Sequence, residues 1–178
     1  MYWKKPGPAN TASTVELALA KAAAAGIDDI VVASCSGATA ELLAGKAPNV
    51  VCVTHAQGYA KPGENEMPPE VRAELVARGV KVLTTTHVLS GAERGISRKF
   101  SGAYPVEIMA HTLRMFGQGV KVCVEVAVMA LDAGLIPHGR EVIAIGGTGK
   151  GADTAVVLRP AHAANIVDTY VAEIICKP

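Results

Sequence analysis

The chain has 178 residues, 50% of them hydrophobic and 19% charged, with a formal net charge of +1. That balance excludes a disordered chain, and the lack of a basic excess speaks against nucleic acid as a partner. No uncharged apolar run reaches bilayer-spanning length, and the lysines near the N-terminus have no apolar run behind them. Neither a membrane anchor nor a signal peptide is therefore expected.

Ser13 and Glu16 have the spacing of a capping box and precede the alanine-rich run Val15 to Ala25, so a first helix is expected to end at Gly26. Ile30 to Ala33 is a short apolar, mostly β-branched run, the composition of a strand covered on both faces. It breaks off in the small residues Ser34, Cys35, Ser36, Gly37, Ala38 and Thr39, after which a helix is expected to run to Gly45. Asn49 to His55 reads as a second buried strand. A loop with Gly58 and Gly63 comes next, then a helix opened by Pro68 and Pro69 and stopped by Gly79. Val80 to Thr86 reads as a third strand, ending next to His87.

Val88 to Ala103 has no clear apolar period and reads as a long binding loop or lid, with Arg94, Arg98 and Lys99 against one acid, Glu93. Pro105 to Phe116 is helical by its apolar stripe. Val120 to Ala133 alternates at first like a strand, but Lys121, Glu125 and Asp132 share one helical face, and a mostly buried helix is expected. Glu141 to Ile145 and Thr154 to Leu158 are two further strands, separated by the glycine-rich run Gly146 to Gly151. The tail from Asp168 to Cys176 reads as an edge strand. Alternating strands and helices imply one α/β domain over residues 1–178, three-layered, with a mostly parallel sheet and helices on both faces.

In such a sheet the carboxyl ends of the strands share one rim, where ligands bind. The rim collects Thr54, His55, Gly58, Thr86, His87, Arg94, Gly146, Gly147, Thr148 and Asp153 beside the Ser34–Thr39 turn. Unpaired N–H groups and dipoles at a helix start favour an anion, and the hydroxyls of Ser34, Ser36 and Thr39 would add donors. A phosphorylated small molecule is the expected guest. The competing reading of the turn is a plain helix cap.

Sharper motifs fail. Gly147, Gly149 and Ala152 fit a dinucleotide fingerprint, but the residues after them are strand-like rather than helical. Lys150 is followed by Gly151 where a P-loop needs Ser or Thr, and Glu41 stands where a cysteine phosphatase loop starting at Cys35 would need arginine. The histidines are too far apart in sequence to suggest a zinc helix, and no metal is expected. The cysteines (Cys35, Cys52, Cys123 and Cys176) form no Cys-x-x-Cys pair, which suits a reduced, cytoplasmic protein. Cys35 reads as a nucleophile at a helix start or as a small residue whose backbone matters.

The run Ser34-Cys-Ser-Gly-Ala-Thr39 after a buried strand resembles the carboxy-terminal α/β domain of pyruvate kinase. With Val53 to His55, Thr86-His87, Glu93-Arg94, Asp132 to Leu135, Gly146-Gly147 and Gly151 to Thr154, the chain resembles the stand-alone pyruvate kinase α/β-domain-like proteins along almost its whole length. The resemblance implies that fold, and flavin mononucleotide (FMN) as the ligand, with its phosphate on the Ser34–Thr39 turn. It does not imply kinase activity, because the catalytic barrel is absent. In the turn itself, Ala38 stands where the sugar-bisphosphate-binding form has arginine. Three functions are open as expectations. The first is a sensor or regulatory module that binds a phosphorylated ligand. The second is a small enzyme with His55 or His87 as acid–base group, Arg94 as a lid charge and Asp153 orienting a partner. The third is a self-assembling structural subunit. A homo-oligomer is expected.

Overall fold

A computed structural model describes residues 1–178. Six strands form one sheet: β1 (Asp29–Ala33), β2 (Asn49–Val53), β3 (Lys81–Leu83), β4 (Val142–Gly146), β5 (Thr154–Arg159) and β6 (Tyr170–Cys176). Their order is β3-β2-β1-β4-β5-β6. The first four are parallel, with β1 between β2 and β4, while β5 and β6 add as antiparallel strands. The edge position expected for the tail is confirmed.

Period-two alternation along the buried strands divides the core into two layers. Ile30, Val32, Cys52, Ile143 and Ile145 face one side, where they meet Val15, Ala18 and Ala22 of α1 (Thr11–Ala25) and Leu75 of α3 (Pro69–Ala77). Val31, Val51, Val53, Ala144 and Val156 face the other, against Val120, Cys123, Val124 and Ala127 of α6 (Gln118–Asp132). Because apolar helices cover both faces, the strands need no polar side, and this is why they read as continuous β-branched runs.

The structure corrects several boundaries. α1 opens at Thr11 after a 3-10 turn at Pro8–Asn10, so Ser13 lies inside the helix and makes no cap. The helix after β1, α2 (Ala38–Glu41), has only four residues. β3 is three residues long, which leaves Thr84 to His87 as irregular backbone beyond the sheet. The largest correction concerns the stretch expected to be a loop. It forms α4 (Gly91–Phe100), followed by α5 (Pro105–Arg114). Glu93 joins the two, accepting hydrogen bonds from the backbone N–H groups of Val106 (2.7 Å) and Glu107 (3.1 Å) at the start of α5. The lone acid of a basic stretch is thus a cap for the next helix.

Candidate functional site

A cavity of about 610 Å³ opens at the carboxyl ends of β1, β2 and β3, on the α6 side of the sheet. Its sheet wall carries Cys35, Thr54, His55, Thr86 and His87. Its other walls are helical. Gly91, Arg94, Gly95 and Arg98 of α4 line it at spacings of three, one and three, which is one face of a helix. Gln118, Lys121, Val122, Glu125, Val126 and Met129 do the same on α6, and Arg114 closes the gap from the end of α5.

The site is strongly cationic. Arg94, Arg98, Arg114 and Lys121 face a single acid, Glu125. That acid is already committed: Lys121 Nζ lies 2.5 Å from its Oε2, and the Leu89 backbone N–H donates to its Oε1 at 3.0 Å. Burial pushes the Lys121 pKa down, opposed by Glu125, while Arg114 and Arg94 push the same way as burial. Arg114 is held by a 2.8 Å bond from its Nε to Gln118 Oε1, whereas Arg94 and Arg98 are exposed and make no salt bridge.

Across from the arginines stands a set of rings. His55 stacks on Tyr59 with centroids 3.8 Å apart, and His87 lies 5.4 Å from His55 and 5.6 Å from Tyr59. The His55 ring is fixed by a 2.5 Å hydrogen bond between Nδ1 and Glu66 Oε2. His87 is held neutral, its pKa lowered below 6.5. Burial is the main cause, with Glu125 working against it and His55 and Lys121 with it. The Cys35 thiol is pushed up to about 11, chiefly by burial; a hydrogen bond from the His55 backbone opposes this and Glu66 adds to it. A thiol of that kind is no free thiolate, so the nucleophile reading of Cys35 loses its physical basis. Cys35, His55 and Glu66 offer a sulfur, a nitrogen and an oxygen that all lie within 4.8 Å of one another, a juxtaposition hidden in the sequence because the three come from separate loops.

Of the residues expected at the rim, the cavity gathers Cys35, Thr54, His55, Gly58, Thr86, His87 and Arg94. It does not gather Ser34, Ser36, Gly37, Ala38 or Thr39, nor Gly146, Gly147, Thr148 or Asp153. Physical reasons are visible in each case. Ser34 Oγ accepts the Thr39 N–H at 3.2 Å, so the turn caps itself. Gly37 sits at φ 91°, and a Cβ there would meet Val71 Cγ1 at 2.6 Å and Leu75 Cδ1 at 3.3 Å, so its small size serves packing against α3. Ser36 and Ala38 are exposed beyond the cavity lining.

The glycine-rich run is the turn of an antiparallel hairpin, with Gly146 paired to Thr154. Asp153, fully buried inside it, accepts from Gly7 N–H (2.9 Å), Thr148 N–H (3.1 Å) and Thr154 Oγ1 (2.8 Å). It anchors the N-terminal segment over the turn and orients no partner in the cavity. The segment after the glycines is a strand, as expected, and the helix a dinucleotide would need is missing.

Arg98, Arg114, Lys121, Glu125 and Tyr59 were outside the sequence-based site. For Arg98 a signal existed: Gly91, Arg94, Gly95 and Arg98 have helical spacing, a polar stripe where an apolar one would be sought. Lys121 and Glu125 share a helical face, as expected, but nothing in their spacing says that both are buried or that they pair.

A mostly parallel sheet with helices on both faces, and a cationic cavity at the carboxyl ends of its strands, defines an α/β domain with an open cavity at the rim. The family model for the pyruvate kinase alpha/beta domain matches residues 12–158, and the chain belongs to that family. Among solved structures it is similar to pyruvate kinases from Cryptosporidium parvum. One shares 19% identity over 87% of this chain and 23% of the kinase, with a TM-score of 0.45. A complex with ADP shares 18% over 99% of this chain and 25% of the kinase, with a TM-score of 0.41. The chain thus spans about a quarter of those enzymes.

Proposed function

We propose that the protein binds a phosphorylated small molecule in the cavity between the strand ends, α4 and α6, as a sensor or regulatory module. One observation carries this reading: four basic side chains line a cavity with one acid, and that acid is already paired. Two exposed arginines without a carboxylate partner match the geometry of phosphate oxygens, which guanidinium groups clasp in pairs. The phosphate is therefore assigned to the Arg94 and Arg98 side, and not to the Ser34–Thr39 turn expected from the sequence.

The opposite wall suits a planar ring. Tyr59, His55 and His87 form an aromatic cluster on which a heteroaromatic system would stack, and 610 Å³ lies within the ordinary range for a cofactor-sized pocket. FMN unites both requirements and is the ligand we assign. Titrating the protein with FMN while monitoring flavin fluorescence tests this. Saturable binding is expected, with Arg98→Ala weakening it about tenfold, the usual effect of losing one charge-assisted contact. A fluorescence trace unchanged up to millimolar protein would refute the assignment.

His87 favours a second reading. A half-buried imidazole kept neutral at pH 7 inside a cavity is able to accept a proton, as the acid–base group of a small enzyme must. Turnover of a bound ligand that disappears in His87→Gln while binding persists would establish it.

A further inference from the structure

We propose that Cys35, His55 and Glu66 form a binding site for a zinc-class divalent metal ion at the wall of the cavity. Sγ of Cys35, a ring nitrogen of His55 and a carboxylate oxygen of Glu66 lie within 4.8 Å of one another. Ligands around a tetrahedral zinc ion, each ~2.0–2.3 Å from the metal, stand ~3.3–3.8 Å apart. Small rotations of three side chains on separate loops therefore bring the donors to the ion. Mixed sulfur, nitrogen and oxygen donors favour zinc and its first-row neighbours over magnesium or calcium, which prefer all-oxygen shells.

Three features separate this cluster from a chance meeting. Cys35 comes after β1 and His55 after β2, two paired parallel strands, so the sheet itself fixes their separation. The His55 ring is positioned by stacking on Tyr59, and its Nδ1 already faces Glu66 Oε2, so two of the donors point at one another before an ion arrives. And Cys35 and His55 both line the cavity while Glu66 does not, so an ion held by the three sits at the cavity wall, where a tetrahedral ion has one position left for a further ligand. Three protein ligands with one open position is the arrangement of zinc sites that act on a bound molecule. An ion there takes the place of the proton between Nδ1 and Oε2 and displaces the thiol proton. Glu66, which raises the thiol pKa when no metal is bound, then becomes a co-ligand.

The test uses metal alone, so it is independent of the flavin assignment. Protein treated with a chelator and dialysed is titrated with Co²⁺ and then with Zn²⁺. The expected result is one equivalent of Co²⁺ giving a thiolate-to-cobalt charge-transfer band in the near ultraviolet, bleached by one equivalent of Zn²⁺. Cys35→Ser should abolish the band. Glu66→Gln, on an exposed loop where folding is not at risk, should weaken zinc binding by about tenfold or more while the protein stays folded. A titration without the thiolate band, or a band and affinity that survive both substitutions, would overturn the proposal.

Discussion

His87 shows how one residue's surroundings set its chemistry. Its neutral form is favoured by burial and by the neighbouring His55 and Lys121, against the pull of Glu125. The sign of the consequence comes from linkage. With the folded pKa below the unfolded value of 6.5, the unfolded chain binds more protons as pH falls past 6.5. The His87 contribution to stability is complete above that pH and is lost as pH falls toward the depressed folded value. In metal-free protein, the His87 ring resonances should titrate below pH 6.5, and the midpoint should rise when phosphate is added, since a bound anion favours the imidazolium. A midpoint at or above 6.5 without phosphate would contradict the environment described. The sequence names His87 through its place at a strand end, but not its protonation state, which depends first on burial in the folded chain and then on Glu125, His55 and Lys121, each more than thirty positions away.

At the level of elements, α4 and the β4–β5 hairpin show where the sequence was and was not legible. The buried strands announce themselves because double coverage leaves them no polar face. α4 escapes notice because its recognisable face is polar and glycine-bearing, turned toward a cavity rather than a core, and Ile96 and Phe100 on it stay exposed. The Ser34–Thr39 turn is ambiguous for the converse reason. Small and hydroxylated residues serve self-capping and packing as well as anion binding, and Val71 and Leu75 against Gly37, invisible in the sequence, supply the packing role. The hairpin depends on close approach to α6. A Cβ on Gly119 would lie 2.0 Å from Thr154 Oγ1, and one on Gly146 would lie 2.9 Å from the Gly119 carbonyl oxygen. Gly119 has no left-handed φ, so its requirement is space alone. Gly119→Ala should destabilise the fold by about 1–3 kcal/mol, the usual cost of overpacking. Urea denaturation measures it, and an unchanged midpoint would show that α6 and the hairpin can separate freely.

Across the whole molecule, the sheet divides its carboxyl rim into two regions with different uses. After β4, the hairpin turn is sealed by the chain's own N-terminal segment through Asp153, and its buried charge is spent on structure. After β1, β2 and β3, the rim opens into the cationic cavity. The sequence placed both on one rim, correctly, because strand ends were readable. It could not tell which was free, because that depends on where Met1 to Asn10 folds back. No helix is long and apolar enough to cross a membrane.

The central claim is that the anion is gripped by arginines on α4 and not by the turn after β1. Parallel FMN titrations of Arg94→Ala and Ser36→Ala decide between these two places most directly. Arg94→Ala is predicted to bind about tenfold more weakly, while Ser36→Ala matches the unsubstituted protein. Weakened binding in Ser36→Ala beside an unaffected Arg94→Ala would contradict the claim.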